Sequence, residues 1–370
     1  MSKEPMLLTP GPLTTSKATK EAMLRDWGSR DAAFIKLSAE ICQKLEILAG
    51  VEPENPSHCC VLIQGSGTFV VEAALDTLVP KDGKVLVLVN GAYGARMARI
   101  CEIKGRSYEI FETDEDTPPD AEQLAKHLAD DPEITHVAAV HCETTSGILN
   151  PIAEIADTIA KAERHLIIDA MSSFGALPLN VQDVACATIL ASSNKCLQGV
   201  PGVGFAIIEK TALTASKGNA TSLSLDLYDQ WQNFEQTGQW RFTPPTHVLA
   251  ALGQALIEHE AEGGIEGRGR RYQENCQTLV AGMQRLGFST YLSDNLQAPI
   301  IVTFNLPSEG NFEFEQFYDK LHDRGFAIYP GKLTKADSFR IGCIGDITKV
   351  DIENAVKAIA EVMAEMSSVP

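Results

Sequence analysis

"HLIIDAMSSFGALPLNVQDVACATILASSNKCLQGVPGVGFAIIE" (165–209) contains three apolar, β-rich runs separated by polar and turn-forming residues. The runs are HLIIDA (165–170), ATILAS (187–192) and VGFAIIE (203–209). They are almost uninterrupted by polar residues, which suits strands covered on both faces rather than strands with one wet face. The pattern recurs upstream in CCVLIQ (59–64), KVLVLVN (84–90) and THVAAVH (135–141). Helical stretches such as VVEAALDTLV and PIAEIADTIAKAE lie between several of these runs. Strands alternating with helices predict a mainly parallel sheet sandwiched by helices, an α/β fold.

A second region begins near residue 260. AEGGIEGRGRRYQENCQTLVAGMQRLG reads as a glycine-rich turn and a long helix. PIIVTFNL, FEFEQFYDKLHDRG, FAIYPG, SFRIGCIG and KVDIENAVKAIAEVMAEM follow as strands and helices of a small α+β domain. We therefore expect an N-terminal arm (1–15), a large domain (16–260) and a small C-terminal domain (261–370).

The 370-residue chain carries a net charge of −18, which argues against nucleic acid or an anionic membrane as partner. An anionic substrate would have to be held by a few local donors working against that field. The N-terminus lacks the apolar core of a signal peptide, and no run approaches a membrane span. Nine scattered cysteines without a C-x-x-C pair fit a reducing cytoplasm. The eight histidines have no metal-ligand spacing, so no metal is expected.

In open α/β sheets ligands bind beyond the carboxyl ends of the strands. Five such ends are polar here: GSGT (65–68), NGAYG with Tyr93, CETTSG with Glu143 and Thr144, Asp169, and SSNK ending at Lys195. Glycines in GSGT allow backbone N–H groups to approach an anion, and a helix N-terminus adds positive charge. The stretch is neither the dinucleotide fingerprint nor a P-loop, and it reads equally well as a turn capped by Ser66 or Thr68. Asp169 closes an apolar strand, where a carboxylate is costly unless a cation or donor meets it. Singly, Asp169 suits a structural hydrogen bonder, Tyr93 a packing aromatic and Lys195 a solvated loop residue. Together, an amine, a carboxylate, an anion cradle and a flat aromatic suit pyridoxal 5′-phosphate (PLP). The lysine bonds its aldehyde, the carboxylate pairs with its ring nitrogen, the glycine turn holds its phosphate and Tyr93 stacks on its ring.

The chain resembles the class V aminotransferases of the fold-type I PLP enzymes. The likeness runs through GSGTFVVEAAL (65–75), NGAYGARM (90–97), HCETTSGILNPI (141–152), IIDAMSSFGALP (167–178) and FRIGCIG (339–345). It implies a PLP-binding domain with a seven-stranded sheet and a smaller α+β domain. It further implies that Ser66, Gly67 and Thr68 bind the cofactor phosphate, with Thr243 of WRFTPP reaching in from the other subunit of a homodimer. By the same likeness Tyr93 stacks on the cofactor, Thr144 and Asn194 contact it, Asp169 pairs with its ring nitrogen and Lys195 is the catalytic amine. Arg340 of FRIG would hold the substrate's anionic group. Relatives acting on small amino acids often have tryptophan where Tyr93 stands, and the same stacking is expected.

Two phrases, LLTPGPLTTS (7–16) and SSNKCLQGVPG (192–202), resemble the branch of this family that handles aminophosphonates. They imply 2-aminoethylphosphonate as amino donor and pyruvate as acceptor, with Arg30 of WGSRD or the TPGP backbone as further phosphonate donors. An alanine–glyoxylate or serine–pyruvate type aminotransferase would use the same Lys195, Asp169 and Arg340 and stands as the alternative. A PLP lyase of the cysteine desulfurase type needs a cysteine on a mobile loop, which neither Cys196 nor Cys343 offers. A nicotinamide-dependent oxidoreductase lacks its third glycine here. In a hydrolase built on His141 and Cys142, neighbouring strand residues would point to opposite faces.

Overall fold

The computed structural model describes residues 4–307, 312–333 and 336–367. A seven-stranded sheet forms its centre. Its strands are β1 (His58–Gly65), β2 (Lys84–Val89), β3 (Ser107–Glu112), β4 (Ile134–Val140), β5 (His165–Asp169), β6 (Thr188–Ser192) and β7 (Gly202–Glu209). Their order across the sheet is β1-β7-β6-β5-β4-β2-β3. Only β7 runs antiparallel to its neighbours, pairing with both β1 and β6. The carboxyl ends of β1, β2, β4, β5 and β6 consequently share one edge.

Six of the seven strands coincide with the apolar runs in the sequence. The exception is β3, SYEIFE, an edge strand that pairs only with β2, leaves Ser107, Ile110 and Glu112 exposed and buries none of its residues fully.

Helices cover both faces of the sheet. Ile152–Lys161 buries Ile152, Ile155, Ala156 and Ile159. That i, i+3, i+4, i+7 spacing turns one stripe of the helix to the core, and burial stabilises by about 1.5–3 kcal/mol for each isoleucine. One face of the sheet packs Phe34, Ile41, Leu45 and Phe205 among its largest residues. The other packs Val70, Leu75, Met97 and Leu190.

A smaller antiparallel sheet orders β8 (Ile301–Asn305), β10 (Ser338–Gly342) and β9 (Tyr329–Pro330), with β10 in the middle. Its core gathers Phe288, Phe304, Phe317 and Phe339 beneath the helix Lys349–Ser367. The N-terminal segment is stitched to this region: Met6 and Leu7 pair with Phe326 and Ala327, and Gly342 N–H donates to the Leu8 carbonyl at 2.9 Å. From there the segment turns back toward the large sheet. No helix among the described residues is long and apolar enough to cross a membrane.

Candidate active site

Over the shared strand edge lies a cavity of about 230 Å3 lined by Gly11, Ser66, Gly67, Thr68, Tyr93, Arg96, Asp169, Met171, Ser172, Asn194 and Lys195 among others. Seven residues singled out in the sequence thus meet in one cavity: Ser66, Gly67, Thr68, Tyr93, Asp169, Asn194 and Lys195.

The helix after β1 starts at Gly67, and Ser66 at its N-cap makes no side-chain cap bond. Phe69 N–H turns to the Ser66 carbonyl at 3.0 Å, and the Gly67 and Thr68 N–H groups remain available to an anion. Thr68 Oγ1 accepts from Arg96 Nη1 at 3.1 Å. Arg96 escaped the sequence reading, although it stands one helical turn after Tyr93, and its guanidinium lies 4.8 Å from the Tyr93 ring centroid.

Asp169 ends β5 almost fully buried, and its Oδ1 accepts from Met171 N–H at 3.0 Å. Burial pushes its acid up to about 6; the Met171 bond opposes this, the Glu143 charge adds to it, and Arg96 and Lys195 counter it. A carboxylate held so uncomfortably is ready to meet a cation in the cavity. The Lys195 amine is pushed down by burial, and its Nζ donates to the Pro10 carbonyl at 2.6 Å. Gly11, at φ +122°, lies so close that a Cβ there would come within 2.5 Å of Nζ. Only glycine lets the arm pass over the lysine.

Tyr93 is positioned by a feature that the sequence did not disclose. Its helix, Ala92–Lys104, begins at Gly91, which has no side chain to cap it. Instead the buried Glu143 carboxylate accepts from Tyr93 N–H (3.1 Å), Gly94 N–H (3.3 Å), Thr145 N–H (3.0 Å) and Thr145 Oγ1 (2.6 Å). Thr145 Oγ1 accepts in turn from Ala92 N–H at 2.9 Å. Burial raises the Glu143 acid, and these bonds oppose the rise. Burial would also raise the Tyr93 phenol, but a hydrogen bond with Thr144 and the charges of Lys195 and Lys332 hold it below its ordinary value.

Thr144 and Arg340 adjoin this group. Arg340, buried on the middle strand β10, donates Nη1 to the Thr144 carbonyl at 2.7 Å and Nε to the Pro330 carbonyl at 3.0 Å. Thr243 lies apart. It is exposed in a separate groove of about 310 Å3 that Arg30, Arg241 and Phe242 also line.

The turn carrying Lys195 is braced by the helix Gly264–Arg285. Arg268 Nη1 donates to the Cys196 carbonyl, and Gln198 donates to the Tyr272 hydroxyl and the Gly345 carbonyl, each at 2.6 Å. The same helix extends Arg271 to the Gly345 and Ile347 carbonyls, each at 2.7 Å, and Asn275 to the Cys343 carbonyl at 3.1 Å.

The two thiols weighed in the sequence are unsuited to act as nucleophiles. Cys196 is pushed up to about 12 by burial, and Cys343 well above its ordinary value by its contact with Cys276 and by burial. His141, beside Cys142, is driven down to about 4 by burial. Among the described residues no cluster of histidine, cysteine or carboxylate side chains could hold a metal ion.

The model of the class-V aminotransferases matches residues 54–339. A 2-aminoethylphosphonate–pyruvate transaminase of Pseudomonas entomophila is 55% identical over 366 residues, covering 99% of both chains. A protein of the same name from Pseudomonas putida KT2440 is 54% identical with the same coverage. Among solved structures, a ureidoglycine–glyoxylate aminotransferase of Bacillus subtilis superposes with a TM-score of 0.90 at 21% identity, over 100% of this chain and 95% of its own.

Proposed function

The chain belongs to the class-V aminotransferase family, and from that footing we propose that it moves the amino group of 2-aminoethylphosphonate to pyruvate, yielding phosphonoacetaldehyde and L-alanine. The observation that carries the substrate assignment is the 55% identity, end to end, with a transaminase named for that reaction.

Pyridoxal 5′-phosphate is the cofactor of this reading, and the cavity residues fit it. A buried, cation-seeking Asp169, a helix N-terminus without a side-chain cap and a depressed lysine amine converge on one cavity. Ser66, Gly67 and Thr68 would hold the phosphate, and Thr243 would join them from the other subunit of a homodimer. Tyr93 would stack on the ring, with Thr144 and Asn194 at its edge. Lys195 would bond the aldehyde. When bound, the cofactor supplies an electron sink for the pair left on the substrate carbon when its proton departs.

Each residue then has a defined task. Asp169 would keep the ring nitrogen protonated, an ion pair that would also relieve its own burial. Lys195, once the donor's amine has displaced it from the aldehyde, would be a neutral amine favoured by its burial, placed to take the proton from the amine-bearing carbon and hand it to the cofactor; with pyruvate the same transfer would run in reverse. Arg340 offers its guanidinium fork to the phosphonate in one half-reaction and to the carboxylate in the other. Exchanging Arg30 for alanine tests whether the groove it shares with Thr243 adds a donor to the phosphonate; unchanged half-reactions would remove Arg30 from the site. The protein works in the cytoplasm, where all nine free cysteines stay reduced.

The test is the visible spectrum of the PLP-loaded protein on adding 2-aminoethylphosphonate without pyruvate. Bleaching of the yellow band is expected, with restoration on adding pyruvate. A band that ignores this donor but bleaches with L-alanine or L-serine would overturn the substrate, and a protein that takes up no PLP would overturn the chemistry.

A further inference from the structure

Four cations surround the Tyr93 ring and its neighbours, and three already have tasks. Lys195 serves the chemistry. Arg96 is tied to Thr68 on the side of the phosphate cradle. Arg340 is set against the Thr144 and Pro330 carbonyls. The fourth is Lys332, whose Nζ stands 4.1 Å from the Tyr93 ring centroid.

Lys332 is placed by the same strand pair as Arg340. Tyr329 lies opposite Arg340 in the ladder, Pro330 accepts the Arg340 Nε, and Gly331 N–H donates to the Ser338 carbonyl at 2.9 Å. One residue further on, Lys332 leaves the ladder and sends its ammonium to Tyr93. Glu112, Asp114 and Glu115 line the same outer cleft as Lys332, yet among the described residues no carboxylate forms an ion pair with the ammonium, which rests over the Tyr93 ring. Its charge is felt at both Lys195 and Tyr93, whose proton affinities it lowers. A cation without a carboxylate partner among the described residues, adding its charge to the burial that already depresses the Lys195 amine, has a cost to the resting site, and an arriving anion would offset it.

We propose that Lys332 is a specificity-determining residue: with Arg340 it forms a two-cation clasp that favours a phosphonate dianion over a carboxylate. The inference rests on the amino donor proposed above. A carboxylate brings one negative charge, which the Arg340 fork already meets. A phosphonate at alkaline pH brings two charges and three oxygens, so a second cation adds more to it than to a carboxylate. In a chain of net charge −18, such local cations give the site its selectivity for anions.

The experiment compares PLP-loaded wild type with Lys332→Met and Lys332→Arg at pH 8, after a thermal melt confirms that each is folded. The half-reactions with 2-aminoethylphosphonate and with L-alanine are followed separately by bleaching of the cofactor band. The ratio of their kcat/KM values is expected to fall at least tenfold in Lys332→Met, through KM rather than kcat, and to recover to within about threefold in Lys332→Arg. A ratio that stays constant would overturn the proposal. Binding of ethylphosphonate and of propionate, which lack the amine, is measured in parallel by their perturbation of the cofactor band. Preferential loss of ethylphosphonate affinity in Lys332→Met supports the clasp, and equal loss of both refutes it. Should the wild type ignore 2-aminoethylphosphonate altogether, the proposed donor falls and the ethylphosphonate comparison alone decides on Lys332.

Discussion

Replacing Asp169 with asparagine is expected to stabilise the cofactor-free protein at alkaline pH and to weaken the cofactor-loaded one. The carboxyl is buried, and burial raises it from its ordinary 3.8 to about 6. A folded-state value above the unfolded one means that folding prefers the protonated acid. The resulting cost is small below pH 3.8, grows as the pH rises toward 6 and is complete above that. At about 1.4 kcal/mol for each tenfold change in proton affinity, the full cost is about 3 kcal/mol. Asparagine keeps the Met171 bond through its carbonyl oxygen and carries no charge. At pH 8 the cofactor-free variant should therefore be up to about 3 kcal/mol more stable than wild type, and at pH 4 by only about half a kcal/mol. Urea unfolding at both pH values, at equal protein concentration and without cofactor, measures the gap. Saturating PLP should reverse the order at pH 8, because the protonated ring nitrogen would pair with Asp169 alone. A cofactor-free variant no more stable than wild type at pH 8, or a gap equal at both pH values, would refute the reasoning.

Three further outcomes are expected. Covalent capture of added PLP by the cofactor-free protein should accelerate with pH through a midpoint below the ordinary 10.5 of a lysine, because burial depresses the Lys195 amine; stopped-flow absorbance reads it, and Lys195→Met should capture none. Glu143→Gln should turn an amide toward at least one backbone N–H it now accepts from, costing about 2–4 kcal/mol in a urea titration and altering the circular dichroism of the bound cofactor as Tyr93 shifts. Mixing inactive Lys195→Met with weakened Thr243→Ala should restore up to about a quarter of wild-type activity, since half the dimers would then carry one intact site; no recovery would place Thr243 in its own subunit's site or outside it.

The strand edge was legible because each strand feeding it is covered on both faces, so a continuous apolar run leads to its polar end. β3 was not, since SYEIFE mixes tyrosine and phenylalanine with exposed serine and glutamate at a sheet edge. Lys195 and Asp169 were legible as polar residues stranded at the ends of apolar runs. Glu143 was seen only as part of a polar turn; its task depends on a helix 50 positions earlier in the chain, a pairing no local pattern encodes. Arg268 reaches the Cys196 carbonyl across 72 positions, and in RGRRY it looks like any solvated arginine. Lys332 shares that fate, because its proximity to Tyr93 arises only when the two sheets are assembled; Arg96, one turn after Tyr93 on the same helix, was within reach of the helical spacing.

The helix Gly264–Arg285 has a consequence for substrate reach. Through Arg268 and Tyr272 it grips the turn of Lys195, and through Arg271 and Asn275 it grips the chain just beyond Arg340. The helix acts as a gauge block between the Lys195 amine and the Arg340 guanidinium. On the proposed roles of Arg340 and Lys332, point changes there would alter which anion is held and leave the gauge length untouched. Redesign toward longer donors would then have to begin on that helix, among arginines that do not line the cavity.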